Sequence, residues 1–248
     1  MSDSLIYAWI ALAIVLIPVQ LLVPAPYGRH VRSGWGPVIP ARIGWVLMEA
    51  VALVAFTWFF LAAGKWTEVT ILIATLFAAH YVHRSAIYPL LMRESRRRIP
   101  LLIVLFAVIF NSVNGYLNGE YLGFHGAQYP LSYLQDIRCI VGAVLFVAGA
   151  AINVVADYRL ISLRKTGADT GYQIPQGGLF RFISCPNHFG EIIEWTGFAV
   201  MCWNLPALAF AVWTASNLIP RAIHHHRWYR RQFPDYPAGR RAVIPFIL

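Results

Sequence analysis

Charge is what this sequence has least of. Only 12% of its 248 residues are charged and 58% are hydrophobic, against roughly 25% charged in an ordinary soluble domain. Most of the folded surface is therefore expected to face lipid. Cysteine is also scarce: Cys139, Cys185 and Cys202 form neither a CxxC pair nor a ligand spacing with histidine, which argues against a disulfide framework or a structural zinc. No GxGxxG follows a strand and no GxxxxGK[ST] occurs, so neither a Rossmann half nor a P-loop supplies phosphate contacts. Linkers, low-complexity tracts and a repeat period are missing too, and a single domain over residues 1–248 is expected. The stretch before the first apolar run carries Asp3 but no Lys or Arg, so that run reads as a retained helix rather than a secretory signal.

What is there is a succession of apolar segments near bilayer length, about 20 residues each. They fall at 5–24, 42–63, 68–92, 100–117, 137–160, 187–203 and 206–229, which predicts an all-α, polytopic bundle of seven transmembrane helices. Cytoplasmic loops keep Lys and Arg while short translocated loops avoid them. Sixteen of the twenty cations, among them Arg29, Arg93, Arg159, Lys165 and Arg241, fall on one side, against Lys65 and Arg138 on the other. That division predicts an outside N-terminus, a cytoplasmic C-terminus and an odd number of crossings. The net charge of +9 is explained by these loops, so nucleic acid is not expected as a partner.

Ionisable side chains at membrane depth are costly and mark functional sites by default. Glu49 lies about 10 Å inside the second segment at 1.5 Å per residue; an interhelical hydrogen bond is the plainer alternative for it. In the third segment Tyr81, Arg84 and Tyr88 share a face at i, i+3 and i+7, with His80 and His83 on its flanks. No third ligand accompanies the two histidines, and no metal site is expected. Asn153, Asp157 and Arg164 line one side of the fifth segment, Asn187, Glu191 and Glu194 one side of the sixth, and Arg221, His225 and Tyr229 one side of the seventh. Mutual pairing, with Glu191 or Asp157 neutralising Arg221, is the alternative. Three stripes converging on one cytoplasmic mouth favour a bound polar cofactor, with Arg164, Lys165, Arg221 and the C-terminal arginines as phosphate donors. For His224, His226 and Arg230 an interfacial anchor to anionic lipid is the alternative.

NVVADYRLISLRKTG, YQIPQGGLFRFISCPNHFGEIIEWTGFA and the stretch from Leu205 to Leu248 resemble the C-terminal region of steroid 5α-reductases. PARIGWVLMEA and HYVHRSAIYPLL extend the resemblance more weakly to the second and third segments. It implies a seven-helix fold, NADPH as hydride donor, and reduction of the carbon–carbon double bond conjugated to a steroid 3-ketone. Glu49 and Tyr81 match the pair that bonds the ketone, and Trp45 an aromatic lining the steroid cavity. Asn153, Asp157, Arg164, Tyr172, Asn187, Glu191, Arg221, His225 and Tyr229 match cofactor contacts. Met48 stands where the mammalian pattern has Gln, which removes a donor beside Glu49.

Hydride reaches the far carbon of an enone only if negative charge can move onto the ketone oxygen, so the site needs a hydrogen-bond donor there. Tyr81 can donate, and Glu49 can when it carries its proton. The expectation is an integral membrane enzyme of the bacterial inner membrane or endoplasmic reticulum, monomeric, with its cofactor site facing the cytoplasm. The rival readings are another membrane reductase acting on a polyprenol or enoyl group, an isoprenylcysteine methyltransferase-like enzyme, and a non-enzymatic sterol carrier.

Overall fold

The computed structural model describes residues 3–92, 97–166 and 172–248, with side chains for all of these except 164–166. In chain order the elements are α1 (Asp3–Leu22), β1 (Val38–Pro40), α2 (Ala41–Ala63), α3 (Glu68–Val82), α4 (Tyr88–Leu91), β2 (Arg98–Pro100), α5 (Leu101–Phe124), α6 (Ile137–Thr166), α7 (Pro186–Cys202) and α8 (Leu205–Gln232). The protein is mostly helical, as expected. The all-α reading needs one correction: β1 and β2 pair antiparallel, Val38 opposite Pro100 and Pro40 opposite Arg98. Three residues are too few for an alternating pattern to show in sequence. Each strand ends in a proline whose fixed φ leads straight into the following helix.

Among the described residues four helices are long and apolar enough to cross a membrane: Asp3–Leu22, Ala41–Ala63, Leu101–Phe124 and the Ile137–Leu163 part of α6. Their outward side chains, such as Val54 and Trp58 at 66% and 67% exposure, are too apolar and too contiguous for a water-facing surface. The remaining segments expected to cross are interrupted or more polar. α3 stops after 15 residues, α7 has 17 residues and carries Glu191 and Glu194, and α8 carries Arg221 and His224 to Arg227.

Packing divides the chain into two compact units, Ala25–Ile140 and Met1–Pro24 with Val141–Leu248. In the first, α5 lies directly on α2. Cβ atoms added at Gly119 and Gly123 would overlap the Phe56 and Phe60 carbonyl oxygens, and one at Gly115 would stand 2.8 Å from the Ala52 oxygen. Phe56 stacks on Phe77 of α3 at 3.9 Å between ring centroids. α5 runs on to Phe124 past the expected end at 117, and its glycines there are points of close approach to α2. α3 starts on a reciprocal cap in which Thr67 Oγ1 accepts from Thr70 N and Thr70 Oγ1 from Thr67 N, a feature worth about 1 kcal/mol.

The expected continuous helix over 68–92 is also corrected. A π turn occupies His83–Ile87, with Tyr88 N donating to His83 O. Pro89 has no N–H to continue the α pattern and its ring crowds the preceding turn; widening that turn accommodates it. One residue is thereby inserted into the face, so the neighbours Arg84 and Ser85 both turn inward.

In the second unit α1 packs on α8, where Trp213 Nε1 donates to Trp9 O at 3.0 Å and His224 Nε2 donates to Gln20 O at 2.8 Å. α6 and α7 meet backbone to backbone through Gly142 and Gly149 on one side and Gly190 and Gly197 on the other. A Cβ at Gly190 would lie 2.5 Å from Asn153 N, and one at Gly149 2.6 Å from Gly190 O.

Candidate active site

The unit Ala25–Ile140 holds the expected substrate residues. Trp45 and Glu49 stand one turn apart on the same face of α2, and both are half-buried. Trp45 lies 5.3 Å from Tyr88, and the Arg84 guanidinium sits 5.0 Å from the Trp45 ring and 5.1 Å from the Tyr88 ring. The stripe of Tyr81, Arg84 and Tyr88 is buried throughout, and its cation is held over two aromatic faces. Met48 is buried in a core cluster with Ile99 and Val104, against which Trp45 also packs. A thioether suits that apolar position.

Tyr81, 3% exposed, rests on Phe77 at 4.8 Å. Its hydroxyl accepts a hydrogen bond from Asn114 Nδ2 at 3.3 Å. Asn118 Nδ2 donates to both Asn114 Oδ1 at 2.9 Å and Asn114 O at 3.0 Å, and Asn111 Nδ2 donates to Met48 O at 2.7 Å. Asn111, Asn114 and Asn118 are all buried on α5, and the sequence reading missed them. The signal was available, since asparagines at i, i+3 and i+7 in an apolar span form an inward stripe. Asn118 Oδ1 has no hydrogen-bond partner among the described residues, at a cost of about 1–3 kcal/mol for a buried acceptor.

The unit that carries α6, α7 and α8 holds the expected cofactor residues. Asn153 Nδ2 donates to Asn187 O at 2.9 Å and to Glu191 Oε2 at 3.2 Å, and Asn187 Nδ2 donates to Asp157 Oδ1 at 3.0 Å. Two amides and two carboxylates on two helices thus form one connected network. Asn153 and Asp157 are 2% and 3% exposed, while Asn187 and Glu191 are only partly buried. Glu194 lies deeper, at 1% exposure beside Gly149. His225 faces His188 at 5.6 Å between rings, Tyr229 stacks on Tyr236 at 5.3 Å, and Tyr172 packs edge-on against Trp228 at 4.9 Å. Arg221 is partly buried one turn before His225. The side chains of Arg164 and Lys165 lie outside the described residues.

The chain beyond α8 is tied back onto the segment before α7. Ile183 bridges to Arg241, Arg241 N donates to Phe182 O and Cys185 N to Ala242 O. Ser184 is the hub: its Oγ lies 2.6 Å from the Tyr236 hydroxyl, 2.7 Å from His226 Nδ1 and 3.1 Å from Arg241 O. Burial pushes the Tyr236 phenol up from its ordinary value, which keeps its proton on as a donor. Arg240, 3% exposed, donates to Pro175 O at 3.0 Å and Gln176 Oε1 at 2.8 Å, and Arg159 Nη1 to Gln176 O at 3.1 Å. Two expectations change here. Arg240 is a strut under the YQIPQGG loop rather than an open phosphate donor, and the inward bonds of His224 and His226 displace the lipid-anchor alternative for them. Ser184 and Arg240 carry no periodic signal, because their partners lie 57 and 65 residues away along the chain.

Among the described residues no three His, Cys, Asp or Glu gather as a metal site. The polar groups that do gather are the Tyr81–Asn114–Asn118 cluster and the four-residue network on α6 and α7. Residues 97–248 match the family model described as 3-oxo-5-alpha-steroid 4-dehydrogenase. The chain is 40% identical to 3-oxo-5-alpha-steroid 4-dehydrogenase 1 of Bos taurus, across 99% of this chain and 96% of the bovine protein. It is 38% identical to steroid 5-alpha-reductase DET2 of Arabidopsis thaliana across 98% of this chain and 94% of the plant protein. Identity is 42% with 3-oxo-5-alpha-steroid 4-dehydrogenase 2 of Homo sapiens, across 90% of this chain and 88% of the human protein. On that full-length similarity the chain belongs to the 3-oxo-5-alpha-steroid 4-dehydrogenase family of oxidoreductases.

Proposed function

We propose that this protein reduces the Δ4 double bond of 3-oxo-steroids to the 5α product with NADPH, as a monomeric membrane enzyme of seven crossings with the N-terminus outside and the C-terminus in the cytoplasm. The observation that carries the reading is the Asn153–Asn187–Asp157–Glu191 network, buried polar chemistry in otherwise apolar helices. A dinucleotide presents hydroxyls, a carboxamide and phosphates, and the network offers both amide donors and carboxylate acceptors to the first two. The residues therefore fit the cofactor. Arg221, His225, Tyr229, Tyr172 and Arg164 complete the set that the family resemblance assigns to it. The polar faces of α7 and α8 also account for their low hydropathy as spans, since inward residues need not be apolar.

NADPH supplies the hydride when bound. Tyr81 donates its hydroxyl proton toward the ketone oxygen, Glu49 adds a second donor when protonated, and the two together stabilise the enolate that forms as hydride reaches C5. Trp45 presents an aromatic face to the flat ring system. A proton at C4 completes the saturated ketone. The steroid partitions into lipid and enters from there, while the charged cofactor comes from the cytoplasm, the side that holds sixteen Lys and Arg.

The test is to incubate purified protein with NADPH and testosterone and look for the 5α-reduced product. Glu49→Ala and Tyr81→Phe should each slow turnover by about a hundredfold, as for one lost oxyanion donor. NADPH should also stabilise the protein, by about 2.7 kcal/mol at 100 times its dissociation constant. Steroid binding with no product and no stabilisation by NADPH would identify a carrier instead.

A further inference from the structure

We infer that Asn114 and Asn118 are positioning residues that hold the Tyr81 hydroxyl as an acceptor toward α5, so that its single proton is left for the substrate oxygen. The inference rests on the reductase reading above and deepens it.

A phenol has one proton and an oxygen that also accepts. Which role it plays toward the protein decides what it can offer a ligand. If a buried neighbour takes the proton, Tyr81 can give nothing to a ketone. If the neighbour donates, the proton stays available, and the incoming bond polarises the O–H and strengthens it as a donor.

An asparagine beside the phenol serves either way, because turning its amide over exchanges Oδ1 and Nδ2. The surrounding bonds settle which way Asn114 is turned. Asn118 meets the main-chain oxygen of Asn114 at 3.0 Å, and a carbonyl only accepts, so the Asn118 atom facing it must be Nδ2. The same Nδ2 lies 2.9 Å from the side-chain atom of Asn114, which must then be the acceptor Oδ1. Nδ2 of Asn114 is left for Tyr81, at 3.3 Å. The chain of inference runs from one main-chain carbonyl through two amides to the phenol, all within the unit Ala25–Ile140.

The arrangement carries a penalty that a purely structural cluster would avoid. Asn118, 1% exposed, keeps its Oδ1 without a hydrogen-bond partner among the described residues. A leucine of similar size would fill the space without stranding that atom. What the amide adds is the orientation of Asn114. Asn111, one turn earlier, bonds the Met48 carbonyl next to Glu49, so the same face of α5 touches both helices that carry the ketone donors.

The experiment uses full-length enzyme with NADPH and testosterone, reading kcat and the KM for NADPH. Asn114→Asp offers Tyr81 only acceptors and draws its proton inward; kcat should fall by about a hundredfold with the KM for NADPH unchanged. Asn118→Leu releases the amide of Asn114; kcat should fall by about tenfold while the thermal midpoint stays where it is or rises, the opposite of what loss of a structural contact does. In a Tyr81→Phe background neither substitution should lower kcat further, because the proton they govern is gone. Retained stabilisation by NADPH shows that a variant is folded, and if Asn114→Asp fails that check Asn118→Leu decides alone. Wild-type kcat in the folded variants, or losses that multiply in the Tyr81→Phe background, overturn the inference while the reductase reading stands. An absence of 5α product from the wild-type enzyme, or full turnover by Tyr81→Phe, overturns the reductase reading and takes this inference with it.

Discussion

Adding one methyl group at Gly149 tests the cofactor network without touching any of its polar atoms. The new Cβ would stand 2.6 Å from Gly190 O and 2.7 Å from Glu194 Cα. The first of these falls about 0.8 Å short of ordinary contact at 3.4 Å. Both obstacles are backbone, so no side chain can swing aside, and α6 and α7 must part. Asn153 Nδ2 reaches Asn187 O at 2.9 Å and Glu191 Oε2 at 3.2 Å. Separation by that amount carries both beyond hydrogen-bond range. Two bonds at about 1 kcal/mol each, with a buried amide left unsatisfied, amount to about 2–3 kcal/mol. On the proposed function those groups bind the cofactor, so the loss should appear as roughly 30-fold weaker NADPH binding at 1.4 kcal/mol per tenfold. Isothermal titration or the KM for NADPH reads it directly, with Gly239→Ala, where nothing lies within 4 Å, as the control. Unchanged NADPH affinity in Gly149→Ala would show that the α6–α7 network does not hold the cofactor.

Gly119→Ala, whose Cβ would overlap the Phe56 carbonyl, should destabilise the protein by about 1–3 kcal/mol and slow turnover with NADPH affinity intact, measured by thermal melts beside steady-state rates. Arg240→Met strands the Pro175 and Gln176 acceptors; the KM for NADPH should rise about tenfold through the loop bearing Tyr172, and Arg240→Lys should not restore it, because an ammonium cannot make the forked pair of bonds. In the unit Ala25–Ile140, hydrogen bonds from the Arg138 side chain and N–H hold the Asp136 carboxyl down at about 2, against an ordinary 3.8. A carboxyl whose folded value is depressed contributes stability above its unfolded value and loses it as pH falls through the folded one. Acid melts should therefore show a component lost between about pH 4 and about pH 2 that Asp136→Asn abolishes; an identical acid profile in the variant would refute that assignment.

The long apolar helices and the polar stripes of the candidate site were legible because both depend on local pattern. Apolar runs of bilayer length marked α1, α2 and α6, and polar residues at helical spacing marked Asn153 with Asp157 and Asn187 with Glu191, which the structure joins across two helices. What escaped depends on partners far along the chain. Gly119 and Gly123 lie past the expected segment end at 117, and their place in the helix shows only once the Phe56 and Phe60 carbonyls are found against them. Arg240 read as a free cation because its acceptors lie about 65 residues earlier. The asparagines of α5 were passed over because their span was judged on hydropathy alone, and Asn114 acquires meaning only beside Tyr81, 33 residues away.

The widened turn at His83–Ile87 makes the local winding, rather than any particular side chain, the setting that aims Tyr88. A helix advances about 100° per residue and the wider turn absorbs one residue, so regular winding of the same residues would swing Tyr88 by about that angle away from Trp45 and the Arg84 cation, whereas deleting one residue together with the bulge would leave its bearing nearly as it is. Tyr81, upstream of the turn, would keep its bearing toward α5. Closing the bulge with every residue kept would thus separate the aromatic wall from Tyr81, an outcome no substitution in either residue reproduces.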